Sequence, residues 1–201
     1  MIVAILTVDQ RGSRSGPDLV PAVLESLNDT ALPGPLRAFE RTAGDEVQGV
    51  LVDGAGLVAR IGRLLRAGTW NIGLGFGAVE EPLPSSTRAG RGEAFVLARQ
   101  AVMRAKQHPS RLSVVGVPEY RAERIETVAW LWAGVLNRRS VRGWEVADLL
   151  GDGLSHADAA HRLGISQSAV SQRAQAAGLV EADRAARLLA QLLDEALVEE
   201  R

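Results

Sequence analysis

Apolar positions in this chain follow two regimes. Up to Val117, short apolar runs alternate with stretches of helical spacing; beyond Pro118 only the helical spacing remains. Ile2 to Val8 reads as one continuous buried strand. Gly16-Pro17-Asp18 opens a helix over 18–28, with Leu19, Val23, Leu24 and Leu27 on one face. Leu36 to Thr42 and Val47 to Val52 read as two strands around a turn at Gly44-Asp45. A helix follows from Leu57 to Leu65, then a strand from Trp70 to Val79. A further helix over 93–107 leads into a strand from Leu112 to Val117.

That order is βαββαβ followed by αβ. Its first six elements form the ferredoxin-like arrangement that several palm-type nucleotide enzymes elaborate. Within the Trp70–Val79 strand, Ile72, Leu74 and Phe76 alternate with Gly73, Gly75 and Gly77, which leaves one sheet face without side chains. Such a face admits either a very close helix or a ligand, and close helix packing is the expectation.

After Pro118 the chain reads as helix throughout. Ile125, Val128, Leu131, Trp132 and Val135 mark a helix over about 121–137, followed by helices over 141–150, 156–163 and 167–176, and a leucine-rich one from about 182. Trp130, Trp132 and Trp144 are expected in the core rather than as a stacking platform. The division implied is an α/β domain over 1–118 and an all-α domain over 119–201.

Within the second half, residues 155–176 carry a specific pattern. Ser155 and Ser166 are placed to cap two consecutive helices. Ala160 is small where those helices must cross, Gly164 provides the turn conformation that a β-carbon disfavours, and Ile165 plugs the corner. Val170 and Ala174 face inward. Gln167, Ser168, Ser171, Gln172 and Gln175 then face outward, with Arg173 in reach of phosphate, a set suited to a DNA major groove. This stretch resembles the helix-turn-helix of LuxR-type regulators, sigma-factor region four and MarR-like regulators. Arg138, Arg139 and Arg142 form a candidate phosphate patch just before it. A helical hairpin used only for packing is the alternative, supported by the lack of Lys and by Asp148, Asp152 and Asp158.

Composition narrows the chemistry. There is no Cys, which removes disulfides, thiolate metal sites and cysteine nucleophiles, and the three His are scattered at positions 108, 156 and 161. No apolar run reaches the roughly 18 residues of a membrane span, and the opening MIVAILTVDQ reads as a strand rather than a signal peptide, so a cytoplasmic location is expected. The formal net charge is −1; basic residues outnumber acidic ones by two over 1–118 and fall three short over 119–201. Any DNA-binding surface must therefore be a local basic patch.

Two acidic positions in the first half invite a metal reading. Asp9 ends the first strand, and Asp45 with Glu46 sits at the hairpin tip, which that topology places nearby. Converging carboxylates would suit Mg²⁺ and, through it, phosphate; the helix after Asp9 offers free N–H groups, and Arg11, Ser13, Arg14 and Arg41 lie near the same edge. Equally, Asp45 can be a turn residue, Asp9 a helix-side cap, and the arginines their salt-bridge partners.

Asp9-Gln10-Arg11-Gly12-Ser13, Arg41-Thr42-Ala43-Gly44-Asp45 and Gly92 to Arg99 resemble the three segments of class III nucleotide cyclases, and the order of motifs over about 110 residues resembles the SatD family more closely. The resemblance implies Asp9 and Asp45 as metal aspartates. It also shows departures. Arg41 stands at the adenine-reading Lys position, Ala89 at that of its Asp partner, Val96 at the Asn, and Gln100 at the transition-state Arg, with Arg99 one residue away, about 100° around a helix. These imply a nucleotide- or metal-binding sensor, or a vestige, rather than an active cyclase. The expectation is a DNA-binding regulator with a degenerate cyclase-like sensor; the rival is a metal-dependent nucleotide cyclase or hydrolase with a helical tail. Ala185, Leu188, Leu189, Leu192, Leu193, Ala196 and Leu197 form a stripe on the last helix. Such a stripe packs either on its own domain or on a second subunit; a homodimer is the expectation, with helix-turn-helix spacing that responds to ligand.

Overall fold

A computed structural model describes residues 1–198; the final three residues of the expected helical domain lie outside it. The elements are β1 (Ile2–Gln10), α1 (Val20–Leu27), β2 (Arg37–Arg41), β3 (Glu46–Leu51), α2 (Gly54–Ala67), β4 (Trp70–Ala78), α3 (Glu93–Ala105) and β5 (Leu112–Gly116). They continue with α4 (Glu119–Leu136), α5 (Val141–Gly151), α6 (His156–Leu163), α7 (Gln167–Ala176) and α8 (Leu179–Leu197). Each matches a segment expected from the apolar spacing to within a few residues. The strands form one mixed sheet in the order β2-β3-β1-β4-β5. β1 is antiparallel to both β3 and β4, and β5 is parallel to β4.

β1 is apolar throughout because both faces of the sheet are covered. On one face Val3 and Ile5 join Val50, Val79, Ala94 and Ala98 beneath α3. On the other, Ala4, Leu6 and Val8 join apolar residues of α1, α2, α4 and α8 in a single cluster. The alternating glycines of β4 explain the fit of α3. A β-carbon added at Gly73 would lie 2.2 Å from the Val102 nitrogen, and one at Gly75 would lie 2.1 Å from the Ala98 nitrogen. The helix answers with Ala94, Ala98, Ala101 and Ala105, all fully buried. A helix, then, occupies the bare face.

The apolar core does not divide at Pro118. Ile125, Ala129, Trp132 and Ala133 of α4, and Leu189, Leu192, Leu193 and Ala196 of α8, belong to the same cluster as Leu57, Ile61 and Leu64 of α2. The stripe that was expected to offer a dimer surface is thus buried within its own chain, with only Leu188 left 46% exposed. α8 lies so close to α2 that a β-carbon on Gly54 would come within 2.1 Å of the Ala190 carbonyl oxygen. At this point Asp194 accepts the Gly54 N–H at 2.6 Å, while Asp53 accepts that of Gly56 at 2.6 Å. Two carboxylates, Asp53 from the N-cap position and Asp194 from α8, cap the first turn of α2.

A smaller cluster holds α5, α6 and α7 together: Val146, Ala159, Ala160 and Val170, with Leu149, Leu163, Ile165 and Ala174 against them. This unit sits between α4 and α8.

Gly75→Ala is expected to lower stability by about 3 kcal/mol, the upper end for overpacking, because the added methyl meets backbone of α3. Gly134→Ala, in α4 where a β-carbon meets nothing within 4 Å, is expected to be neutral or to stabilise by up to about 1 kcal/mol. Thermal unfolding followed by circular dichroism compares the two; equal effects would contradict the close α3–sheet contact.

Candidate functional site

Strand alternation separates the residues expected to converge at the end of β1. Asp9 pairs in register with Glu46 and with Asn71, and these share a face with α3. There Lys106, just past α3, binds Asp9 at 2.7 Å, and the Asn71 amide donates to Asp9 at 3.2 Å. Glu46 accepts from the Thr42 hydroxyl at 2.7 Å. Asp45, one residue before Glu46, lines a cavity of about 340 Å³ with Gln10, Ser13, Arg14, Asp18 and Arg41. Asp9 does not line it. The two aspartates expected to share a cation are thus placed in different surroundings. No group of three His, Cys, Asp or Glu that could hold a metal ion occurs among the described residues.

The phosphate handholds expected beside them are also engaged. The Gln10 side chain accepts the Leu19 N–H at 2.9 Å and Asp18 accepts the Val20 N–H at 3.0 Å, so the N–H groups of Leu19 and Val20 at the entry to α1 have protein partners. Pro21 has none to offer. Arg41 is paired with Asp18. That guanidinium, and then the Val20 N–H, hold the Asp18 carboxyl below its ordinary value. Arg11 donates to the Gly68 carbonyl at 2.8 Å, tying the loop after β1 to the end of α2, and Arg99 is exposed on α3 away from the cavity. Of the residues expected to bind nucleotide, the structure gathers Ser13, Arg14 and Arg41 but not Arg11 or Arg99. Lys106 and Asn71 had no signal in the sequence, since each reaches Asp9 only through tertiary packing.

The second candidate region is built by α6 and α7. Ser155 caps α6 by accepting the Asp158 N–H at 3.1 Å and donates to the Asp158 carboxylate at 2.6 Å, so it is satisfied on both sides. Gly164 takes the left-handed conformation, φ 64°, that ends α6, and Ile165 N–H reaches back to Ala160 at 3.1 Å. Ser166 then caps α7 by accepting the Ala169 N–H at 3.2 Å. With Val170 fully buried, Gln167, Ser168, Ser171, Gln172 and Gln175 are exposed on the outer side, and Arg173 is half-buried. This is the arrangement expected from the spacing.

Charge around this face differs from the expectation in two respects. Asp148 is bound by both Arg66 nitrogens, at 2.6 and 2.7 Å, and Asp158 by Ser155, so two of the three nearby carboxylates are engaged. Arg138 and Arg142 are exposed, but Arg139 is turned inward: it donates to the Ala177 carbonyl at 2.8 Å and lies 4.7 Å from the centre of the Trp144 ring. Trp132 is buried as expected, and Trp130 packs on the His108 ring at 4.1 Å and donates to the Leu112 carbonyl.

Comparison with known proteins finds no family model, no curated protein and no solved structure that matches this chain.

Removing Lys106 as Lys106→Met should leave the Asp9 charge partly buried and unpaired. Melting temperature should fall, and Asp9→Asn in the same chain should recover part of the loss. A coupling of about 1 kcal/mol in this double-mutant cycle is expected, between the values of exposed and buried pairs; a coupling near zero would mean that the pair does not form in solution.

For Asp18 the sign of the pH effect follows from its depressed carboxyl. It contributes stability at pH above the ordinary Asp value, and that contribution is lost as pH falls through the depressed one. Carboxyl titration followed by NMR should place Asp18 below ordinary Asp, and Arg41→Gln should return it upward; an unmoved midpoint would contradict the ion pair.

Proposed function

We propose that this protein is a duplex-DNA-binding regulator in which α6, the turn at Gly164–Ser166 and α7 form a helix-turn-helix, with α7 as the reading helix. One observation carries the reading: α7 turns Val170 and Ala174 into a core shared with α5 and α6, and by the same rotation presents Gln167, Ser168, Ser171, Gln172 and Gln175 to solvent. Amide and hydroxyl side chains can donate and accept at once, which is what discrimination among base edges requires. Ser166 and Arg173 lie at the rim of this face, and exposed Arg138 and Arg142 supply phosphate contacts. Arg139 is left out of this reading, because it is turned toward the Ala177 carbonyl and the Trp144 ring.

The sheet body is read as a ferredoxin-like palm extended by α3 and β5. The strand order β2-β3-β1-β4, with α1 and α2 on one face, supports this. It serves here as a scaffold, because Asp9 is neutralised by Lys106 and the N–H groups of Leu19 and Val20 at the entry to α1 are already bonded. The reading makes no use of a second copy of the chain, since the α8 stripe that motivated a dimer is buried.

Selection from a random duplex library with the full chain, followed by fluorescence anisotropy, tests the assignment. On the selected site, Gln167→Ala or Gln172→Ala is expected to weaken binding by about 1–3 kcal/mol. Arg142→Gln should weaken binding to all sequences alike and reduce the slope of log affinity against log salt by about 1. Enrichment of no sequence, or unchanged binding in both glutamine variants, would overturn α7 as the reading helix.

A further inference from the structure

A cavity lies where the sheet body meets the three short helices, among α2, α4, α5 and α8. Its volume is about 840 Å³, within the range of small-molecule sites. The walls are flat and apolar: Trp132 and Leu136 from α4, Trp144, Ala147 and Leu150 from α5, and Ala186 from α8. The rim carries Arg63, Arg66, Arg139, Arg184 and Arg187 with one carboxylate, Asp183, and so has an excess of positive charge.

These arginines are not equivalent. Arg63 is paired with Asp29, Arg66 with Asp148 and Arg187 with Asp183. Arg139 and Arg184 have no carboxylate partner among the described residues. Arg139 is half-buried against Trp144, which also carries Arg66 at 4.6 Å from its ring centre. Burial and the neighbouring Arg66 charge push the Arg139 guanidinium down from its ordinary value, opposed only by Asp148. A partly dehydrated positive charge at the edge of an aromatic wall is a poor arrangement by itself and a good one for an anion.

We propose that this cavity binds an organic anion with a flat apolar body, of the aromatic carboxylate class. The body would lie between Trp132 and Trp144 and the carboxylate would meet Arg139 and Arg184. A neutral molecule of the same shape gains the apolar contact but leaves the cations unmet, and a cation is repelled by the rim. Such an occupant touches α2 and α8 of the body and α5 of the three-helix unit together. The site therefore goes beyond the DNA reading and does not depend on it.

The test uses the full chain without DNA, so that its failure is separate from failure of the DNA assignment. The probes are 2-naphthoate and its neutral counterpart 2-naphthamide, read by tryptophan fluorescence and by melting temperature. Saturable quenching by naphthoate is expected, with a melting temperature that rises with its concentration and an affinity at least about tenfold above that of the amide. Arg184→Gln, at an exposed position, should bring the acid severalfold closer to the amide. Ala186→Trp, which fills the cavity, should abolish naphthoate binding; Ala147→Phe fills the opposite wall if the first variant does not fold. No saturable response at millimolar naphthoate, equal affinity for acid and amide, or binding that survives a folded cavity-filling variant would overturn the proposal.

Discussion

The contact between Gly54 and Ala190 is the constraint on which the arrangement of this molecule depends. It brings α8 against the start of α2 with no space for a β-carbon, and the Asp194 carboxylate completes the cap of α2 at the same point. The chain leaves the sheet body along α4 and returns to it along α8, and both helices contribute buried residues to one core. The three short helices are therefore held at both ends. The hydrogen bond from Arg139 to Ala177 and the close approach of Gly178 to Val135 fix the same crossing from the other side. A unit held in this way keeps a set orientation with respect to the sheet, because moving it requires separating α4 from α8.

On the opposite face of the sheet a second close contact has a different consequence. The bare glycines of β4 let α3 descend onto the strand, and the descent brings Lys106, just beyond the helix, to Asp9. A carboxylate that looks available in the sequence is thereby neutralised by packing. The same strand sends its next residue, Gln10, to the other face, where its side chain caps α1. Alternation along a single strand is enough to divide a group of polar residues that lie side by side in sequence.

The outer face of α7 is polar rather than charged. In protein–DNA contacts, phosphate neutralisation supplies affinity and groove hydrogen bonds supply discrimination. Under the proposed DNA reading, a helix with glutamines and serines outward would favour discrimination over general affinity. That fits a chain whose formal net charge is −1, in which Arg138 and Arg142 are exposed cations ahead of α6 and α7.

The elements themselves were determined by the sequence. Period-two glycines marked β4, serines at the right offsets marked the starts of α6 and α7, and Gly164 marked the turn, because each is a local requirement of backbone geometry or capping. The face of α7 was readable for the same reason: Val170 and Ala174 fix its rotation. What the tertiary structure decided were the partners. Asp9 with Lys106, Asp18 with Arg41, and Trp144 with Arg66 join residues far apart in the chain, and no periodicity carries that information. The leucine stripe of α8 specified an apolar partner surface but not whose it was. Its burial against α2 and α4 followed from the close approach at Gly54, a property of two backbones meeting in space.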